Sequence, residues 1–131
     1  MSTPQEANLL EINQQLLDSI AEADWNTYSD LCDDSLTCFE PEARGHLVEG
    51  LGFHRYYFEL GSPSADRPVQ NTICSPTVRV IGEVGIVTFT RLVQVLDAAG
   101  HPMTKCVEET RIWQRISGDW KHIHFHRSLP S

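Results

Sequence analysis

Nowhere among the 131 residues does an apolar run approach the roughly 20 that a membrane-spanning helix needs. Positive charge is scarce as well. Ten lysines and arginines stand against 18 acids, a formal net charge of −8. Such a chain repels phosphate backbones and anionic lipid, so neither nucleic acid nor a membrane is expected as partner. Cysteine is confined to Cys32, Cys38, Cys74 and Cys106, with no CxxC pair and no metal-ligand spacing. Four reduced thiols in a cytoplasmic protein are the expectation, without disulfide framework or zinc module. The opening MSTPQEANLL lacks the basic and apolar regions of a secretory leader. No glycine-rich phosphate loop and no nucleophile elbow occurs, so the sequence indicates no cofactor and no covalent catalysis.

What is present is one domain's worth of patterned chain, residues 1–131, with 40% hydrophobic residues. Thr3-Pro4-Gln5-Glu6 reads as a helix start, with Thr3 capping, Pro4 in the first turn and Glu6 completing a capping box. Leu9, Ile12, Leu16 and Ile20 then recur at spacings of three and four, and Leu17 widens the stripe: an amphipathic helix. Asp24 caps a second, shorter helix carrying Trp25, Tyr28 and Leu31 and ending near Asp33-Asp34. Leu36 to Phe39 reads as a strand stopped by Glu40-Pro41, and Gly50 to Leu60 as a third helix. Gly61 to Pro68 is a loop. The period then changes to two. Strands are expected over 70–81, 84–96, 102–116 and 119–128, joined by turns at Gly82-Glu83, Asp97–Gly100 and Ser117–Asp119. Helices followed by an antiparallel meander give an α+β fold, a curved sheet with helices on one face.

Three arginines fall on the apolar sides of their strands. Arg91 shares a side with Val87, Phe89, Val93 and Val95; Arg111 with Val107, Glu109 and Trp113; Arg127 with Ile123 and Phe125. A buried guanidinium needs partners. Pairing about the turns sets Glu109 opposite both Arg91 and Arg127, with Arg111 a few residues further along. Two readings stay open: a structural salt-bridge network centred on Glu109, or an anion-binding pocket. One acid cannot neutralise three guanidinium groups, and the arginine fork suits a carboxylate.

Other constellations are weaker. His122, His124 and His126 alternate on the face opposite the arginines, where a polar or interface row is commoner than a metal site. Protonation of such a row would loosen a sheet–sheet contact at low pH. His54 faces a cavity or caps a core aromatic. Glu40 and Glu42 flank Pro41 as a carboxylate pair, more often solvated loop acids than acid–base machinery.

Leu36 to Leu60, LTCFEPEARGHLVEGLGFHRYYFEL, closely resembles the signature stretch of the calcium/calmodulin-dependent protein kinase II association (hub) domain. So do Glu108-Glu109-Thr110-Arg111-Ile112-Trp113 and His124-Phe125-His126-Arg127, and the resemblance runs from about residue 6 to 128. It implies the cone-shaped α+β fold shared with nuclear transport factor 2, ketosteroid isomerase and SnoaL-like cyclases. It also implies a non-catalytic domain that dimerises through its sheet, with dimers closing into a double-layered ring of about 12–14 subunits. The family's pocket, with three arginines for small carboxylates or acidic segments, maps onto Arg91, Arg111 and Arg127, and its pocket histidine onto His54. Kinases of the family carry a catalytic domain, a calmodulin-binding segment and a linker upstream; this chain opens three residues before its first helix, so it is expected to stand alone or to join a related kinase subunit. An aromatic residue common in the loop after the third helix is replaced by Gly61-Ser62-Pro63-Ser64, which points to different gating. The competing function is a small-molecule enzyme of the isomerase or cyclase type on the same fold, for which Glu40, Glu109 and Tyr28 are the candidates.

Overall fold

The computed structural model describes residues 3–60 and 68–130. Helix α1 (Pro4–Ala21) opens with the capping box: the Thr3 hydroxyl accepts from the Glu6 amide, and the Glu6 carboxylate accepts from the Thr3 amide. Its buried face is Leu9, Asn13, Leu16 and Leu17, with Ile12 and Ile20 partly covered. Asn13 interrupts the apolar stripe for a reason: its Oδ1 accepts from Trp113 Nε1 at 3.0 Å. Asn71 Nδ2 donates to the Leu17 carbonyl at 2.9 Å, so two side-chain amides pin the helix to the sheet. Helix α2 (Trp25–Leu31) is capped by Asp24, whose carboxylate accepts from the Thr27 amide.

Among the described residues, six strands form one sheet: β1 (Cys32–Phe39), β2 (Val48–Glu49), β3 (Gln70–Ile81), β4 (Val84–Leu96), β5 (Pro102–Ile116) and β6 (Asp119–Ser128), in the order β2-β1-β6-β5-β4-β3. A 3₁₀ turn (Pro41–Ala43) follows β1, and helix α3 (Gly52–Glu59) follows β2. The last four strands occupy the segments expected from the period-two pattern, and helices cover one face, as the α+β reading requires. Tight turns at Gly82 (φ +59) and at Ser117-Gly118 (φ +52 and +86) use left-handed backbone.

Three details depart from the sequence reading. Helix α2 stops at Leu31 and the strand begins at Cys32, because Cys32 is already registered against His122. The sheet is not wholly antiparallel: β1 runs parallel to β6 and inserts between it and β2. Pairing of β6 with β5 slips by one residue between Ile112 and Trp113, where Ile112 faces His124 but Trp113 faces His122. Ile123 is the extra residue of this bulge, so side-chain parity reverses there. His122 is thereby on the arginine face, not opposite it, and Ile123 is not a member of that face's regular row. The loop over 61–67, with its Gly61-Ser62-Pro63-Ser64 departure, lies outside the described residues. No described helix is long and apolar enough to cross a membrane.

Candidate functional site

Between the helical layer and the sheet lies an open cavity of about 230 Å³. Ile20 of α1, Tyr28 of α2, and His54, Tyr57 and Phe58 of α3 form one wall. The other is built by Arg91 of β4, Arg111 of β5, and Phe125 and Arg127 of β6. Three guanidinium-bearing side chains from three adjacent strands thus border one space, and among its described lining residues there is no carboxylate.

The acids that pair with these arginines are not among the lining residues, and their pairing differs from the register argument. Glu109 is opposite Phe89 and Arg127 in the ladders, while Arg91 faces Val107. Yet the Glu109 carboxylate holds Arg91 and Arg111. Arg111 Nε donates to Oε1 at 2.7 Å, and Arg91 Nε lies 2.7 Å from Oε2. The Arg91 contact is off the N–H axis, leaving that Nε and Oε2 without an aligned hydrogen bond; it is a Coulombic contact. Arg111, on the same strand and face as Glu109, is its better partner and not a residue further along. Its guanidinium also lies 4.4 Å over the Phe125 ring and has Nη1 3.4 Å from His122 Nε2.

Arg127 has different partners. Its Nη2 meets both oxygens of Glu42 and lies 3.4 Å from Glu40 Oε2. Glu40 and Glu42 are therefore not free loop acids: β1 lies beside β6 with Phe39 registered on His126, which carries the next residues to Arg127. Three carboxylates serve three guanidiniums, so the surplus of positive charge inferred from Glu109 alone does not hold. The cationic character of the cavity is one of lining: the three arginines border it, and the carboxylates paired with them are not among its described lining residues.

His54 stands beside the Arg127 group. Its Nε2 is 3.7 Å from Cys38 Sγ and its Nδ1 3.7 Å from Glu40 Oε1. Burial first, then Arg111 and Arg127, lower its pKa to about 4, so it is neutral at pH 7. Burial pushes the Glu40 carboxyl above its ordinary range, with Arg127 opposing. The Cys38 thiol is pushed up to about 12 by burial, so it is neither thiolate nor nucleophile at neutral pH. Cys38, Glu40 and His54 come within 4.8 Å of one another, a donor set with metal-binding chemistry. The cysteine lies nearest Nε2 and the glutamate nearest Nδ1 of the same ring. His122, fully buried, has Nδ1 3.5 Å from Cys32 Sγ and stacks on Phe125; burial, then Arg111, hold its pKa well below the usual histidine value. His124 and His126 remain on the outer face, His124 bonded to Thr37 Oγ1 and both packed around Phe39.

Known proteins share this sequence pattern and fold. The family model of the calcium/calmodulin dependent protein kinase II association domain matches residues 5–131. The chain belongs to that family. It is 42% identical over 121 residues to the delta subunit of calcium/calmodulin-dependent protein kinase type II from Oryctolagus cuniculus, covering 92% of this chain and only 23% of that subunit. It superposes on the CaMKII hub homology domain of Chlamydomonas reinhardtii with a TM-score of 0.89, 48% identity, and 95% and 98% of the two chains covered. A nuclear transport factor 2-like protein from Cytophaga hutchinsonii shares the fold at a TM-score of 0.79 and 18% identity, over 98% and 100% of the chains. The association domain is thus a nuclear transport factor 2-like α+β fold.

Parity of single strands brings Arg91, Arg111 and Arg127 to one face, and the structure brings His54 to the same cavity. The role of Glu40 and Glu42 was missed. It depends on the parallel seating of β1 on β6, which no local pattern in the sequence announces.

Proposed function

We propose that the chain is a non-catalytic assembly domain that builds a closed ring of dimers, with a cavity that receives a small carboxylate or an acidic protein segment. Membership of the association-domain family supports the assembly role, as does a relative described as a hub homology domain. The outer face of the sheet supports it physically. Thr88, Thr90, Glu108, Thr110, His126 and Ser128 border a recess of about 360 Å³ on a face that no described helix covers. A two-fold interface on that face and further contacts between dimers would close the ring. The kinase subunit among the relatives makes a related kinase a candidate partner, reached in the cytoplasm. Each tethered copy would gain effective concentration from the ring.

The observation that carries the ligand reading is the trio Arg91, Arg111 and Arg127 around one cavity whose described lining holds no acid. An enzyme of the isomerase or cyclase type would need a free carboxyl aimed inward. Glu109 and Glu40 are both engaged by guanidinium groups, and burial raises the Tyr28 hydroxyl well above its ordinary pKa. Anion binding is the better-supported use of the space.

Native mass spectrometry at micromolar concentration tests assembly: a large oligomer of even subunit number is expected, and a monomer or simple dimer overturns the ring. Calorimetric titration with mono- and dicarboxylates tests the cavity. Arg91→Gln should weaken binding by about 1–3 kcal/mol, the range of a charge-assisted hydrogen bond. Equal affinity in that variant would take Arg91 out of the site.

A further inference from the structure

We propose that Glu42 is a built-in competitor for the arginine cavity: it occupies the Arg127 guanidinium in the empty protein and must be displaced by an incoming carboxylate. The inference rests on the ligand reading above and names what controls access to it.

A guanidinium offers a carboxylate two bidentate forks. The side-on fork uses Nε–H and one Nη2–H; the end-on fork uses the other Nη2–H and one Nη1–H. Both forks require Nη2. In this structure Nη2 of Arg127 is the atom in contact with Glu42 and with Glu40, so its two hydrogens have acceptors on the protein. A ligand entering from the cavity meets Arg127 with neither fork open. One of the two acids has to yield before a bidentate contact forms.

Burial decides which. The Glu40 side chain is 9% exposed and also faces His54, whereas that of Glu42 is 35% exposed. Released from Arg127, Glu42 can be hydrated where it stands, while Glu40 would be left buried without its cation. Ala43, the next residue, belongs to the hydrophobic core, so the 3₁₀ turn stays anchored while the Glu42 side chain swings out. Among the described residues, Arg91 and Arg111 have no equivalent gate. Their shared acid, Glu109, has a side chain with no exposure and stays in place.

The competitor sets a threshold. A tethered carboxylate acts at high effective concentration, so only ligands that make the full fork, or that also reach Arg91 or Arg111, displace it efficiently. Apparent affinity is reduced by the fraction of molecules in which Arg127 is free. For a partly exposed ion pair that fraction corresponds to an about three- to five-fold penalty.

The test is calorimetric titration of acetate and of succinate into the assembled wild-type protein, Glu42→Gln and Glu11→Gln. The last removes the same charge from an exposed position of α1. Glu42→Gln should bind about three- to five-fold more tightly than wild type, with Glu11→Gln unchanged. Binding detectable only in Glu42→Gln would support the competitor more strongly still. If wild type and Glu42→Gln bind equally, the competitor is overturned and the cavity stands. Equal tightening by both substitutions would assign the effect to net charge and also overturn it. If no protein binds either carboxylate, the ligand reading itself fails, and the competitor with it.

Discussion

Arg111 is the cation whose loss the fold should feel most, and Arg111→Met isolates the reason. The side chain is 1% exposed, so the substitution deletes a charge inside the protein while keeping an unbranched apolar stem of similar reach. Three contacts go: the aligned bond to Glu109 Oε1 at 2.7 Å, the stacking 4.4 Å over Phe125, and the contact with His122. What remains is worse than what is lost. Glu109, with no side-chain exposure, keeps only Arg91, whose Nε is not aligned to it. Stranding one member of a buried pair costs about 3–5 kcal/mol, and methionine packing on Phe125 returns a fraction of that. Taking a loss of about 4 kcal/mol and a urea slope near 2 kcal/mol per molar, the midpoint should fall by about 2 M. Urea unfolding followed by tryptophan fluorescence at one fixed protein concentration reads it, since assembly makes midpoints concentration-dependent. Adding Glu109→Gln should recover part of the loss, because the stranded charge is then gone. A midpoint shift corresponding to under 1 kcal/mol in Arg111→Met, or strict additivity in the double variant, would refute the buried-pair argument.

Two further outcomes concern other buried positions. His54 has a folded-state pKa of about 4 against 6.5 for an unperturbed histidine, so protons favour the unfolded chain. Its stabilising contribution is complete above pH 6.5 and is lost as pH falls towards 4; the span is worth about 3 kcal/mol. Glu40, raised by burial, acts in the opposite sense. Urea midpoints across that window should fall less steeply in His54→Gln, and parallel profiles would remove His54 from the explanation. Gly85→Ala should destabilise by about 1–3 kcal/mol: a Cβ there collides with Leu9 Cδ2 and lies 3.4 Å from the Trp120 ring, and Leu9 is fully buried. Thermal unfolding that leaves Gly85→Ala level with wild type would show that the helix can move off β4 freely.

The strands from 70 onward were legible because alternation is a local signal: Val87, Phe89 and Arg91 declare their common side without knowledge of any other strand. The helix start at Thr3 was legible for the same reason. Pairing between distant segments was not. The register of Cys32 on His122 joins residues 90 apart, and nothing in either segment names the other. The larger errors at the site descend from that join or from the bulge at Ile123; the offset of Arg91 from Glu109 comes instead from the β4–β5 register, which sets Phe89 opposite Glu109. The bulge reverses parity, so His122 moved to the arginine face and an expected pH response of a three-histidine row loses its most buried member. The join brought Glu40 and Glu42 to Arg127 and cancelled a charge surplus that had been counted from β4, β5 and β6 alone. Family resemblance points to the same three arginines that border the cavity but not to their counter-ions, since a motif match identifies residues and says nothing of what pairs with them.

The same join governs how the molecule is made. During synthesis β1 leaves the ribosome long before β6 exists, with one edge able to take β2 and the other unpaired for some 90 residues. A strand edge in that condition is a template for another chain. Contacts of such long sequence separation also form late, because the loop must close before they contribute. The β1–β6 seam is therefore expected to be the last part of the sheet to close and the first to open. Arg127 with its two glutamates sits across it. In the finished protein they are a counter-charged cluster; in the folding chain they are the clasp that shuts the seam, joining residues 40 and 42 to residue 127 at the moment the two strands meet.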